Sequence, residues 1–429
     1  MINPSLLVEP SSLKGKVRGS PSKSQAIRSI LFAALADGKS HIFNLPDSPD
    51  IQRTIDFCNE IGASVKGDAY QVIVQGGGGI MQSPKNNVDV GNSGLLLRLA
   101  APILALQKTS STITGDHSIQ TLRPTKALIG ALKQLGAQVT SAQNDRPPLT
   151  ISGPIRSGRV ELDGSDSQPV SALLIASTLL EGETEIVVTN PGETPWIDLT
   201  LDWLDRAGVT FQRSGYHHFT VHGGHSFTPF DYKVPSDFSS LSFIIGAALI
   251  THSEILIEGL DLKGVHGDRN ILDVFEKMGA KFVLNERKGS ILVEKNNSLK
   301  GFEVDVNDVI DAIPILAVMA CFAEERSVLY NGRIARKKES DRIHTIAMEL
   351  KKMNANIEEL EDGLEIFPSK LIGMTVDSHQ DHRIAMALAV AGLRAKGQTF
   401  VKDIDCIRKS YPNFIKDLNL LGANMRKVT

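Results

Sequence analysis

The sequence predicts an α/β protein of two similar domains, and three observations carry that prediction. One phrase recurs six times: an amphipathic helix ends on an apolar residue, passes through Gly-Ala or a close variant, and enters a β-rich run. Its turn residues are Gly62, Gly136, Gly208, Gly279, Asn354 and Gly422, a period of about 72 residues. The length, 429 residues, exceeds one ordinary core, whereas two domains of about 215 residues, each of three units, account for it. The composition, 41% apolar, 22% charged and 5% aromatic, is that of a globular chain.

Each unit follows one local rule. A helix stops at a residue able to take positive φ, Gly five times and Asn once, and the chain turns into a strand. The units are therefore of βαβ type. The Gly- and His-rich stretch His222 to Asp231 lies near the midpoint and is the candidate boundary. A cleft between the halves is the expected place for a small-molecule site.

Composition also excludes several classes. A formal net charge of −3 gives no sign of a nucleic-acid surface, so any anion must be met by local cations. Cys58, Cys321 and Cys406 are far apart and lack CxxC spacing, which argues against disulfides or zinc and fits a reducing, cytoplasmic setting. The opening MINPSLLVEPSSLKGKV has no basic and apolar signal pattern. The longest apolar run, Ala312 to Ala323 with Pro314 inside it, is well short of the roughly 20 residues that span a bilayer. It is expected to be a buried core segment.

The candidate chemistry lies at helix starts. Ser20-Pro21-Ser22-Lys23-Ser24 precedes an apolar helix, which sets Lys23, Ser24 and Arg28 in its first two turns with Ser24 and Arg28 on one face. Such a start offers free backbone N–H groups and cations to a phosphate or carboxylate. Gly91-Asn92-Ser93-Gly94 is a second turn before a helix, and Arg123-Pro124 opens a third. In the second half, Asp305 to Asp311 leads into the apolar run. Asp311 there is either an N-cap or a candidate general base. Arg336 to Arg342 crowds four cations and two carboxylates ahead of a helix, with Ser340 as the expected N-cap. Asp381-His382-Arg383 and Arg408-Lys409-Ser410 close the series.

Taken in order, SKSQAIR, GNSGLLLR, the Arg-Pro dipeptide, SDSQ, SDFSS, DVNDVIDA, KESDR, DHRIAMA and CIRKSYP resemble the 5-enolpyruvylshikimate-3-phosphate synthase (3-phosphoshikimate 1-carboxyvinyltransferase) family over nearly the whole chain. The resemblance implies two domains, each of three βαβαββ units in an inverse α/β barrel, with about residues 1–21 joining 236–429 and residues 22–235 forming the other lobe. It implies transfer of the enolpyruvyl group of phosphoenolpyruvate to the 5-hydroxyl of shikimate-3-phosphate, with no metal and no organic cofactor. It also implies lobe closure and a monomer that needs neither nucleic acid nor membrane.

Carried over by position, Lys23 resembles the lysine that contacts both substrates and aids proton transfer, with Ser24 and Arg28 on shikimate-3-phosphate. Asn92, Gly94, Arg123, Arg342, Arg383 and Lys409 resemble the phosphoenolpyruvate set. Ser167, Gln168 and Lys338 resemble further shikimate-3-phosphate contacts. Asp311 resembles the base for the 5-hydroxyl, and Glu339 the proton donor to the methylene carbon.

Some positions depart from the family pattern. Pro21 replaces a glycine, Asp166 a serine, and Trp196 a tyrosine. Glu193 stands where a phosphate-binding serine is usual, so either the local backbone differs or its acid points away. Leu95 and Leu99 replace Thr and Pro beside the Gly94 turn, from which altered sensitivity to glyphosate is expected. The sister transferase acting on UDP-N-acetylglucosamine is the nearest alternative, but its family places a cysteine in the loop here reading Gly115 to Arg123, which has none. A non-catalytic scaffold of the same fold would have no need of the ionisable groups at the helix starts.

Overall fold

Six four-stranded sheets share one strand order and one set of directions: an edge strand runs parallel to its neighbour, and the other two pairings are antiparallel. The structure, a computed structural model, describes residues 4–428. Its chain divides into two units, Met1–Ser22 with Pro235–Thr429, and Lys23–Val234. We refer to them as the discontinuous and the continuous unit; each holds three of the sheets.

The unit Arg159 to His222 shows the repeat without interruption. Strand Arg159–Asp163, helix Ser167–Ser177, strand Glu183–Thr189, helix Thr194–Arg206 and strands Phe211–Ser214 and His218–His222 follow in order, the βαβαββ pattern. The two helices of a repeat differ in kind. The first is buried along nearly its whole length, as in Gly94–Leu104, Phe238–Ile250, Ile313–Cys321 and His382–Gly392. The second, such as Pro49–Glu60 or Arg342–Lys352, buries one face only. In the discontinuous unit the three buried helices Phe238–Ile250, Ile313–Cys321 and His382–Gly392 touch one another. Burying such Leu, Ile and Phe side chains stabilises by about 1.5–3 kcal/mol each.

All six repeat turns have the conformation the spacing demanded. Gly62, Gly136, Gly208, Gly279, Asn354 and Gly422 have φ between +71° and +106°, where a β-carbon is disfavoured and Asn is the tolerated exception.

Strand pairing explains why one unit is discontinuous. Strand Lys14–Arg18 pairs in parallel with Glu254–Glu258, and the helix between them in the repeat, Phe238–Ile250, begins only after the continuous unit is complete. The continuous unit is thus inserted in a strand-to-helix link. Strand Ser5–Glu9 lies between Thr399–Lys402 and Asn424–Val428 and completes the last sheet. Strand Asp231–Lys233 likewise supplies the edge of the sheet formed by Asp37–Phe43, Gln71–Gly77 and Ser64–Gly67.

The stretch His222 to Asp231 is not the boundary. The chain passes between units at Val234 and Pro235, and within the stretch Phe227 meets Phe32 edge-on at 5.4 Å while Phe230 lies 5.6 Å from Trp203. Its Gly and His content reads as a linker, but two aromatic anchors fix it to the core.

Candidate active site

The nine motifs share one structural position. Six of them start the six buried helices, and the Arg-Pro, KESDR and CIRKSYP segments precede the half-buried helices Lys126–Gln134, Arg342–Lys352 and Phe414–Leu420. A helix N-terminus presents unsatisfied N–H groups and the positive end of the helix dipole, so it favours anions.

In the continuous unit, Lys23 opens helix Lys23–Leu35, and its ammonium lies 3.1 Å from the buried Asp50 carboxylate. Asp50 follows Ser48, whose hydroxyl accepts from its backbone N–H, and Pro49. That Ser-Pro-Asp helix start is the signal from which Asp50 could have been read. Arg28 donates to Thr200 Oγ1 at 3.0 and 2.9 Å and to the Ser24 carbonyl at 3.3 Å. It is 1% exposed, and among the described residues no carboxylate lies within ion-pair distance of it. Burial pulls its guanidinium down to about 10. A buried cation without an acid is costly unless an anion joins it.

Asn92 donates to Asp116 Oδ2 at 2.6 Å and to Ser118 Oγ at 2.7 Å. Gly94 has a direct reason to be glycine: a β-carbon there would stand 2.9 Å from Arg123 Nη1. Arg98, quoted above only within its motif, is buried, donates to the Pro124 carbonyl at 3.0 Å, and lies 3.4 Å from Asp166 Oδ2. It ties two helix starts together.

The start of helix Ser167–Ser177 departs most from expectation. Glu193 does not point away: its Oε2 accepts from the Ser167 backbone N–H at 3.2 Å and from Ser167 Oγ at 3.3 Å. Its backbone is left-handed, φ 49° and ψ 40°. Asp166 Oδ1 accepts from the Gln168 N–H at 3.0 Å. Two internal carboxylates therefore hold the N–H groups of Ser167 and Gln168, residues that the resemblance places against shikimate-3-phosphate. Gln168 Oε1 is buried and has no hydrogen-bond partner.

In the discontinuous unit the charges form one network. Arg342 reaches Asp311 Oδ1 at 2.6 Å, Glu339 Oε2 at 2.7 Å and Asp381 Oδ2 at 2.8 Å. Arg383 reaches Asp311 Oδ2 at 2.8 Å, and Lys409 reaches Glu339 Oε1 at 2.6 Å. Lys338 is buried, and its charge also acts on Asp311. Lys338, Arg342, Arg383 and Lys409 thus gather around Asp311, Glu339 and Asp381, four cations to three carboxylates in this network.

Two expectations change here. Ser340 is not the N-cap of helix Arg342–Lys352: Asp341 accepts from the His344 N–H, while Ser340 Oγ donates to Asp381 Oδ2 at 3.1 Å. Asp311 caps nothing, because the 3₁₀ turn Asn307–Ala312 carries it to Arg342 and Arg383. Burial opposes its charge, but Arg383, Arg342 and Lys338 more than offset that and hold the carboxyl well below the usual range. Asp381, named above only as the head of its motif and without a role, caps helix His382–Gly392 through the Arg383 N–H and holds Arg342.

The family model for EPSP synthase (3-phosphoshikimate 1-carboxyvinyltransferase) matches residues 7–418. The 3-phosphoshikimate 1-carboxyvinyltransferase of Acetivibrio thermocellus is 38% identical over 421 residues, covering 98% of this chain and 99% of the relative. That of Chlamydia trachomatis serovar L2 is 40% identical over 433 residues, covering 99% and 96%. A solved EPSP synthase from Acinetobacter baumannii aligns with a TM-score of 0.84 at 28% identity, covering 99% of this chain and all of that one. With its ionisable groups gathered at the helix starts and its motifs in order over the whole length, the chain belongs to the EPSP synthase family.

Proposed function

We infer that this chain transfers the enolpyruvyl group of phosphoenolpyruvate to the 5-hydroxyl of shikimate-3-phosphate and releases phosphate, and that residues of both units serve this one reaction. The observation that carries the assignment of roles is the excess of cations over carboxylates around Arg342, together with Arg28, a buried cation with no acid beside it. Both substrates are multiply anionic, and a slightly acidic protein meets them with local cations.

On this reading Arg342, Arg383 and Lys409 exchange partners. Phosphoenolpyruvate takes the guanidinium and ammonium groups that the chain's own carboxylates otherwise hold, helped by Arg123, Asn92 and the close backbone approach at Gly94. Asp311 paired with two arginines is a poor base; losing part of that pairing raises its affinity for a proton. The same exchange frees Glu339 to carry a proton.

Glu339, aided by Lys23, protonates the methylene carbon, and the positive charge that develops at the adjacent carbon is met by the 5-oxygen. Asp311 takes the hydroxyl proton as that carbon–oxygen bond forms. Glu339, by then a carboxylate, takes a proton back from the new methyl group as the bond to the phosphate oxygen breaks, the carbon–carbon double bond re-forms, and phosphate leaves with the bonding electron pair. Lys338, Ser24, Arg28, Ser167 and Gln168 hold shikimate-3-phosphate. We take the protein to work as a monomer in the cytoplasm; among the described residues no helix is long and apolar enough to cross a membrane.

Phosphate release measured with both substrates tests the reading. Turnover that requires shikimate-3-phosphate is expected. Activity with UDP-N-acetylglucosamine in its place, or with neither acceptor, would overturn it.

A further inference from the structure

Behind the Arg383–Asp311 pair lies a second polar cluster that the mechanism above does not use. Asp268, fully buried, accepts from Ser239 Oγ through Oδ2. Its backbone N–H donates to His266 Nδ1 at 3.2 Å. With Nδ1 facing that N–H, Nε2 is the ring nitrogen that meets Asp237, 2.9 Å from its Oδ1. Ser22 Oγ approaches that same Nε2 at 3.4 Å, so serine, histidine and aspartate meet at one nitrogen, and this is not a nucleophilic triad. Asp237 is held below its ordinary range: burial opposes its charge, but His266, Arg383 and Ser240 outweigh it.

Among the buried atoms here without hydrogen-bond partners, two are complementary. One is a donor, Arg383 Nε, and the other an acceptor, Asp268 Oδ1. Arg383 also donates through Nη1 to the carbonyl of Ser239 at 3.4 Å, and Ser239 is the residue whose hydroxyl holds Asp268. The groups acting on Asp268 are His266 from its own loop, Ser239 from helix Phe238–Ile250, Asp311 from the 3₁₀ turn and Arg383 from helix His382–Gly392. Burial and the negative charge of Asp311 push the Asp268 carboxyl up to about 7, against Arg383, Ser239 and His266.

We propose that Asp268 is a positioning residue that controls which partner Arg383 serves: neutral, it leaves the guanidinium to Asp311 and the donor substrate; charged, it competes for it. This rests on the proposed function, in which Arg383 binds phosphoenolpyruvate. A neutral acid leaves Arg383 Nε without an acceptor of matching charge, whereas the carboxylate supplies one. The contest is between two acids for one cation.

The test is the pH profile of KM for phosphoenolpyruvate, measured apart from kcat with the full chain. In the unaltered protein KM rises above neutral pH, by up to about tenfold per unit. In Asp268→Asn, which fixes the neutral form, that rise disappears. In Ser239→Ala, which removes a hydrogen bond favouring the charged form, the rise moves to higher pH. An Asp268→Asn protein that keeps the same rise overturns the proposal, as does a folded one whose kcat collapses at every pH. Should Asp268→Asn not fold, an unmoved profile in Ser239→Ala overturns it alone. Absence of enolpyruvyl transfer in the unaltered protein is a separate result: it removes the proposed function and this inference with it.

Discussion

The helix start at Ser167 and the helix starts around Arg342 and Arg383 meet the same problem, a concentration of backbone N–H groups that favours negative charge, in opposite ways. At Ser167 the chain's own acids take the N–H groups: Glu193 accepts from Ser167 and Asp166 from Gln168, with Arg98 paired to Asp166. Around Arg342 the cations are in excess and share three carboxylates. The first arrangement is a fixed cap made by backbone and short side chains. The second is a network of ion pairs which, on the proposed function, trade an internal carboxylate for a substrate anion.

Substitutions in the two arrangements are expected to differ in effect. Asp311→Asn removes the proposed base from the exchangeable network, and kcat is expected to fall roughly 10²–10⁴-fold with the fold intact. Near-normal turnover would take Asp311 out of the mechanism. Arg28→Ala removes the buried cation of the continuous unit, and KM for shikimate-3-phosphate should rise about 10–100-fold, the effect of losing charge-assisted hydrogen bonds of about 1.5–3 kcal/mol. An unchanged KM would mean that Arg28 is purely structural. Glu193→Ser takes an acid from the fixed cap, and KM for the same substrate should fall a few-fold, since less than about 1 kcal/mol of repulsion is relieved. A rise would show that Glu193 holds Ser167 in its working position.

Effects on stability are separate from those on turnover. Gly62→Ala forces a β-carbon to φ +106°, at a cost of about 1–2 kcal/mol, readable as a fall in denaturation midpoint with unchanged KM values. The pH dependence of stability has a defined sign at two acids. Asp311 is depressed in the fold, so its contribution is present above the unfolded-state value of about 3.9 and is lost as pH falls. Asp268 is raised to about 7, so its contribution is complete at low pH and is lost as pH climbs through that value. Asp268→Asn should therefore flatten the decline of stability between about pH 4 and about pH 7, checked by thermal unfolding at several pH values.

Much of this was legible because single residues carried a backbone demand or a helix-start signal. Six turn residues foretold six repeats, since only Gly and Asn sit easily at positive φ. Lys23, Arg123, Arg383 and Lys409 stood out as cations ahead of helices. The crossing near Ser22 was legible only through the family resemblance, because the pairing of Lys14–Arg18 with Glu254–Glu258 spans an insertion that leaves no local mark. Glu193 could not be oriented from sequence: where its carboxylate goes depends on a left-handed backbone that Glu rarely adopts. Asp268 was missed for a similar reason, as its role follows from burial and from which of its oxygens is unpartnered, not from any spacing.

The exchange of partners around Arg342 and Arg383 can be observed directly in a crystal structure of the protein with phosphoenolpyruvate bound. The account predicts that both guanidinium groups and Lys409 bind the donor's carboxylate or phosphate oxygens, and that the 2.8 Å contact between Arg383 and Asp311 is broken or lengthened. Phosphoenolpyruvate bound with every one of these internal pairs unchanged would contradict it.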